Sequence, residues 1–229
     1  VSIVVAIDGP SGSGKSTVAR LVAEALGLHY LDTGAMYRAL AWWSLDQGVD
    51  LGDQAAVADL AARLPLTIGI DPDAPAVQVD ATDVTVAIRD TRISEAVSAV
   101  ATNLAVRAEM VQRQQAIIAD SVTSGAGIVV EGRDITTVVA PDADVRVLLV
   151  ASEAARLSRR ALEVHGSDDL DAIAATRDQV VGRDAQDSTV ASFTEASEGV
   201  AVVDSSDLTL EETVAAVLEV VRVESGVTA

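Results

Sequence analysis

The only lysine in this 229-residue chain, Lys15, lies inside Gly9-Pro10-Ser11-Gly12-Ser13-Gly14-Lys15-Ser16, directly behind the apolar run Ile3-Val4-Val5-Ala6-Ile7. That order narrows the possible folds to those in which a short buried strand runs into a glycine-rich loop and the loop opens a helix. Val18, Leu21, Val22, Ala25 and Leu26 recur at helical spacing behind it, so the helix the motif requires is expected. The glycines allow positive φ angles and bare N–H groups that approach oxygen closely, which is what wrapping a polyphosphate demands. The helix then turns its N-terminal end toward the anion. Every other cationic side chain is arginine, so an ammonium is kept where a flexible point charge must reach terminal phosphates. The Ser16 hydroxyl is placed to hold a magnesium ion bridging those phosphates.

Composition limits what surrounds this loop. About half the residues are apolar, 49%, yet aromatics are only 2%, so Val, Ala, Leu and Ile must fill the core, as suits a buried parallel sheet covered by helices. There is no cysteine, and the two histidines, His29 and His165, are too few for a metal cluster, so any catalytic metal is expected to be oxygen-ligated. The longest apolar stretches, such as Val147 to Ala151, are strand-sized and far short of the roughly 18 residues of a membrane span. With no basic-then-apolar leader either, a cytoplasmic protein without membrane contact is expected. The net charge of −19 argues against nucleic acid as a partner. An anionic substrate must then be met by clustered arginines against an adverse overall field.

Five short apolar runs are strand candidates: Ile3 to Asp8, Leu28 to Asp32, Ile128 to Glu131, Val145 to Ala151 and Val200 to Asp204. Helical patterns lie between most of them, which predicts an α/β fold with a parallel sheet flanked by helices. Two intervals break the rhythm. From Leu66 to Arg89 short alternating runs, separated by Asp71-Pro72-Asp73-Ala74-Pro75 and by a turn near Ala81 and Thr82, predict an inserted antiparallel β-element. From Arg156 to Asp187 helical segments flank His165 to Asp169, and Arg156, Arg159 and Arg160 share one face. That face is either solvated or part of a lid whose arginines close over phosphate. A last helix, Leu210 to Val223, is expected to follow a cap near Asp207.

Two further segments sit where α/β proteins bind ligands, at the carboxyl ends of strands. Leu31-Asp32-Thr33-Gly34-Ala35-Met36-Tyr37-Arg38 offers an arginine that can fork onto phosphate, and Glu131-Gly132-Arg133-Asp134 ends a strand with an acid and an Arg-Asp pair. Glu131 is placed like a strand-end acid that orders magnesium and its waters. Each could be a structural ion pair taken alone. Together with the loop they form one rim carrying a cation clamp, an acid and a nucleotide cradle.

At these residues the chain resembles the bacterial cytidylate kinases, P-loop nucleoside monophosphate kinases that phosphorylate CMP and dCMP from ATP. The resemblance spans nearly the whole length and rests on Ile7 to Ser16, Leu31 to Arg38, Glu131 to Asp134 and Arg183-Asp184-Ala185-Gln186-Asp187-Ser188. It implies a P-loop NTPase-like core of residues 1–33, 123–155 and 188–229, a monophosphate-binding region 34–122 that includes the β-element, and a small helical lid 156–187. It also implies ATP and Mg²⁺ as cofactors, with Gly9, Pro10, Ser11, Gly12, Ser13, Gly14, Lys15, Ser16 and Thr17 around the ATP phosphates. Lys15, Arg38, Arg133 and Arg183 would be catalytic, the three arginines clamping the acceptor phosphate. Arg107 and Asp134, assisted by Thr33, would read cytosine, whose O2 and N3 accept and whose amino group donates. Ser98 and Asp187 would contact the ribose, and Ser16 with Glu131, through water, would hold the metal. A monomer is expected.

The pattern departs from the family at two places. An arginine and a Pro-Leu segment usually follow the Asp-Ser pair, where this chain has Thr189-Val190-Ala191-Ser192-Phe193, and Thr136 stands where glycine is usual. Two other readings share the loop: a kinase for another small molecule such as shikimate or gluconate, and a non-catalytic protein that binds CMP and ATP. A regulatory GTPase would need an Asn-Lys-x-Asp guanine reader, and the one lysine is already committed.

Overall fold

The computed structural model describes residues 2–227. Strand β1 (Val4–Asp8) is buried almost throughout, as its unbroken apolar run dictates, and it feeds the glycine-rich loop that opens α1 (Lys15–Leu26). β2 (His29–Asp32) runs straight into α2 (Thr33–Asp46), because the Asp32 carboxylate accepts from Ala35 N and caps the helix. α3 (Gln54–Arg63) leads to the insertion, an antiparallel sheet of β3 (Leu66–Ile68), β4 (Val77–Val79) and β5 (Thr82–Asp83). α4 (Thr91–Ala101) and the long α5 (Leu104–Thr123) return the chain to β6 (Ile128–Gly132). A π-helical turn, Ile135–Val139, separates β6 from β7 (Val145–Val150). α6 (Glu153–His165), α7 (Leu170–Arg177), a second π-turn and the short α8 (Arg183–Asp187) precede β8 (Ala201–Asp204) and the closing α9 (Leu210–Ser225).

Among the described residues the main sheet has the order β2-β6-β1-β7-β8, all parallel. This is the α/β architecture expected from the alternation of runs, and the strand ends fall within a residue of their expected positions. Both faces are covered, which explains why β1 and β6 carry almost no polar residue. Ala6, Ile128 and Val130 pack toward α2, α4 and α5, while Val5, Ile7 and Val129 pack toward α1 and α9. Register also decides which strand-end groups meet: Glu131 pairs with Ile7 on one side and Asp32 on the other, so the acids ending β2 and β6 are neighbours.

Three local expectations are corrected. α1 buries Val18, Ala19, Val22 and Ala23, leaving Ala25 exposed, so its apolar face is rotated from the expected stripe. The third inserted strand begins at Thr82, before the expected run, because Asp80 takes the left-handed turn conformation at φ 54°. The closing helix begins at Leu210 as expected but is capped by Thr209 rather than Asp207 two residues earlier, since Thr209 and Glu212 satisfy each other's backbone N–H groups in a capping box.

Gly127 turns the chain into β6 at φ 70°, and a Cβ there would meet the Ile3 carbonyl oxygen at 2.6 Å; Gly125 has φ 83° with open space around it. Gly125→Ala therefore incurs only the left-handed backbone cost, about 1 kcal/mol, while Gly127→Ala adds a clash inside the sheet and should lose about 3 kcal/mol. Urea midpoints of the two variants check this, and equal losses would contradict it.

Candidate active site

The loop between β1 and α1 forms one wall of a cleft of about 270 Å³ at the carboxyl end of the sheet. It is pressed onto α6: a Cβ at Gly12 would lie 2.7 Å from the Arg156 carbonyl oxygen, so only glycine fits. Arg156 donates to the Ser11 carbonyl at 2.8 Å, and Arg159 to the Ser13 carbonyl at 3.2 Å and the Ser205 hydroxyl at 3.0 Å. Asp184 completes this bracing by accepting from Ser11 N at 3.0 Å. Lys15 lines the cleft with Nζ 3.4 Å from the Pro10 carbonyl oxygen. Burial pushes its ammonium below the usual lysine range, Glu131 draws it back up, and Arg133 and Arg183 press it further down.

Opposite the loop stand the acids that end β2 and β6. Asp32 uses one oxygen for the α2 cap at 2.7 Å and the other for Arg38 at 2.8 Å, with Arg89 at 3.4 Å. Burial works to raise its pKa, but the two arginines overcome that and hold it below the usual carboxylate range. Glu131 accepts from the Ser16 hydroxyl at 2.6 Å, and the Thr33 hydroxyl donates to the Glu131 carbonyl at 2.8 Å. Burial, aided by the neighbouring Asp32 charge, pushes the Glu131 carboxyl up to about 7 in spite of Lys15. Among the described residues no group of three or more His, Cys, Asp or Glu converges on a metal position. The Ser16 hydroxyl and Glu131 carboxylate are hard oxygen donors that fit a magnesium ion taking its remaining ligands from phosphate and water.

The third wall holds guanidinium groups against carboxylates. Arg107 pairs with Asp134 and donates to the Ala101 carbonyl at 3.2 Å; burial raises the Asp134 pKa although Arg107 opposes it. Arg133 Nη2 meets Asp184 at 2.9 Å, and its Nη1 lies 2.8 Å from Asp187, which Arg183 also approaches at 3.5 Å. Burial, with Arg133 and Arg38 nearby, pushes Arg183 down to about 10, still cationic at neutral pH. Arg38 Nε, Arg133 Nη1 and Arg183 Nε are buried donors with no well-aligned acceptor. Three desolvated cations with unspent donors suit an incoming anion.

Most of the expected site residues share this cleft. Ser11, Gly12, Gly14, Lys15, Ser16 and Thr17 line it with Thr33, Arg38, Arg107, Glu131, Arg133, Asp134, Arg183 and Asp187. Ser98 is not among the lining residues: it is buried, and α4 turns Ser94, Val97 and Ala101 to the cleft instead. Gly9, Pro10 and Ser13 also lie outside its lining. The solvated reading of the α6 arginines is overturned for Arg156 and Arg159, which brace the loop; Arg160 lines the cleft, held by Gln179 at 3.2 Å and Glu163 at 2.9 Å. Arg177 is 59% exposed and pairs with Glu153 away from the cleft.

Sequence reasoning missed Asp8, Tyr37 and Arg89. Asp8 is fully buried at the end of β1 and accepts from Ile135 N and Thr136 N, both at 2.8 Å, and from the Thr136 hydroxyl at 2.6 Å. It thereby anchors the π-turn directly behind Arg133 and Asp134. The unusual Thr136 is thus explained: its hydroxyl supplies a third donor that a glycine lacks. A buried acid before a phosphate loop was the available signal.

A family model described as "Cytidylate kinase" matches residues 5–223. Relatives named cytidylate kinase include that of Streptomyces avermitilis, 43% identical over 96% of this chain and 93% of its own length. That of Streptomyces griseus is 45% identical over 96% and 93%. That of Cutibacterium acnes is 47% identical over 96% of both chains.

The raised Glu131 pKa predicts a pH effect on stability. Between the ordinary value of 4.5 and about 7 the folded chain keeps a proton that the unfolded chain releases, so this group's contribution is present at low pH and lost as pH rises through that window. Urea unfolding of the ligand-free chain at pH 5 and pH 8 should show a decline of about 2 kcal/mol that Glu131→Gln lacks. Identical pH dependence in the two proteins would contradict the assignment.

Proposed function

The chain belongs to the cytidylate kinase family, and on that premise we propose how its cleft divides between donor and acceptor. The reaction is phosphorylation of CMP by ATP, so the chain is an ATP-dependent phosphotransferase. dCMP, which differs only at the ribose 2′ position, is proposed as a second acceptor. One observation carries this reading: the glycine-rich loop with Lys15 and the Arg107–Asp134 pair line the same cleft. The relatives' names favour it over another small-molecule kinase or a non-catalytic nucleotide-binding protein.

Residues 9–17 take the ATP phosphates, with Lys15 on the terminal ones. Arg38, Arg133 and Arg183 take the acceptor's α-phosphate, and their unspent donors support that role. Arg107 and Asp134 read the cytosine edge, with Thr33 beside them, and Asp187 faces the ribose. Ser16 and, through water, Glu131 would hold Mg²⁺, which would supply neutralisation of phosphate charge. No protein nucleophile takes part: an oxygen of the acceptor phosphate bonds to the γ-phosphorus as the bond to the leaving ADP breaks, and the protein supplies alignment and charge. The region 34–122 serves the acceptor and 156–187 forms the lid over the core. The absence of cysteine and the charge of −19 support a cytoplasmic enzyme with no nucleic-acid partner. Among the described residues no helix is long and apolar enough to cross a membrane.

ADP release measured with CMP, dCMP, UMP and AMP as acceptors tests the reading, with CMP and dCMP expected to be preferred; a preference for AMP or UMP would overturn it. Asp134→Asn should narrow the CMP-over-UMP ratio of kcat/KM by about 2 kcal/mol, because an amide donates to uracil O4 where a carboxylate only accepts. An unchanged ratio removes Asp134 from base reading. At the place of the family's arginine stands Val190, and Arg160 is the α6 arginine that lines the cleft. Arg160→Ala should therefore lower kcat about tenfold or more, and Arg177→Ala should leave it unchanged. Equal turnover in the two variants would show that Arg160 does not fill that role.

A further inference from the structure

Phe193 is the chain's one phenylalanine, and it is only 1% exposed although it lies in the irregular segment between α8 and β8. It lies outside both hydrophobic clusters that flank the main sheet. What it covers is a cation: the Arg133 guanidinium carbon sits 4.5 Å from the ring centroid. That is well within the roughly 6 Å over which a guanidinium is drawn to an aromatic face, and the attraction grows when both partners are out of water. The Arg133 side chain is itself largely buried, at 14% exposure.

Two carboxylates approach the same guanidinium, Asp184 at 2.9 Å and Asp187 at 2.8 Å, while the Phe193 ring covers its face. Asp184 also accepts from Ser11 N at 3.0 Å and pairs with Arg156, so Arg133 is tied to the glycine-rich loop. Carboxylates alone leave a guanidinium free to tilt about its contacts; a ring on its face removes that freedom. Nη1 remains without a well-aligned acceptor, and a fixed plane fixes where that donor points.

We propose that Phe193 is a positioning residue for phosphoryl transfer, its ring face holding the Arg133 guanidinium in the orientation that meets the acceptor phosphate. The inference rests on the reading of Arg133 as a phosphate ligand. Phe193 is not among the residues that line the cleft and acts through Arg133, so its loss lowers kcat without changing KM for ATP.

Because the chain has a single phenylalanine, growth on fluorinated phenylalanines alters this position alone. The series 4-fluoro, 3,5-difluoro and 3,4,5-trifluoro drains the negative ring face stepwise while nearly keeping its shape and its apolar character. kcat for CMP should fall with each step, about tenfold across the series, at constant KM for ATP. Phe193→Leu, which keeps an apolar side chain and removes the ring, should fall at least as far. A role in packing alone would leave kcat level across the fluorinated proteins, and that result overturns the proposal. Arg133→Lys separates the two readings. If it lowers kcat strongly while the fluorinated series is level, only the Phe193 inference fails; if it turns over like the unaltered enzyme, the reading of Arg133 fails and the inference with it.

Discussion

A cation taken out of water must be matched by nearby charge or it loses its proton or disrupts what surrounds it, and the cleft is organised around that constraint. Lys15 sits near Glu131, Arg38 against Asp32, Arg107 against Asp134, and Arg133 between Asp184 and Asp187. The acids come from β2, β6, the turn that follows β6, and α8, so the parallel register of the sheet and the packing of α8 have to be right before the charges can meet. The pairing is also incomplete. Several guanidinium donors point at no well-aligned acceptor, and Glu131 holds its proton far above the usual glutamate range. A site that neutralises itself just enough to fold, and no further, keeps its charge for phosphate.

The same constraint reconciles the composition with the chemistry. A net charge of −19 repels an anionic substrate at long range, where salt screens the field over about 10 Å in any case. Inside the cleft the balance is set by the groups within a few ångströms, and there Lys15, Arg38, Arg133 and Arg183 converge. Local clustering overrides global sign because burial lowers the effective dielectric and strengthens each short contact.

Much of the fold was legible because its signals are local. The run Ile3 to Ile7, the loop behind it and the helical spacing after Lys15 lie within a few residues of one another, and buried parallel strands are continuous apolar stretches. The strand-end acids were legible for the same reason. What could not be read depends on distant partners. The spacing of Arg156 and Arg159 left a solvated face and a phosphate-closing lid equally open, yet each reaches about 145 residues back in sequence to a loop carbonyl. Ser98 sits one step round α4 from the face that turns to the cleft, a rotation that spacing alone does not resolve. The Thr209 cap was missed although its Thr-x-x-Glu pattern was present, because Asp207 offered a competing cap two residues earlier.

Asp8 and Asp184 show why such distant contacts carry function. Neither is among the residues that line the cleft. Asp8 reaches from the end of β1 to the turn behind Arg133 and Asp134, and Asp184 reaches from α8 to Ser11 and Arg133 together. The glycine-rich loop and the arginine cluster are thus referenced to each other through carboxylates on two different elements. Phosphoryl transfer depends on in-line alignment of two bound phosphates, so a small error between the two halves of the cleft costs more than a small loss of affinity in either. Rigid links between the halves are therefore where this fold invests its buried charge.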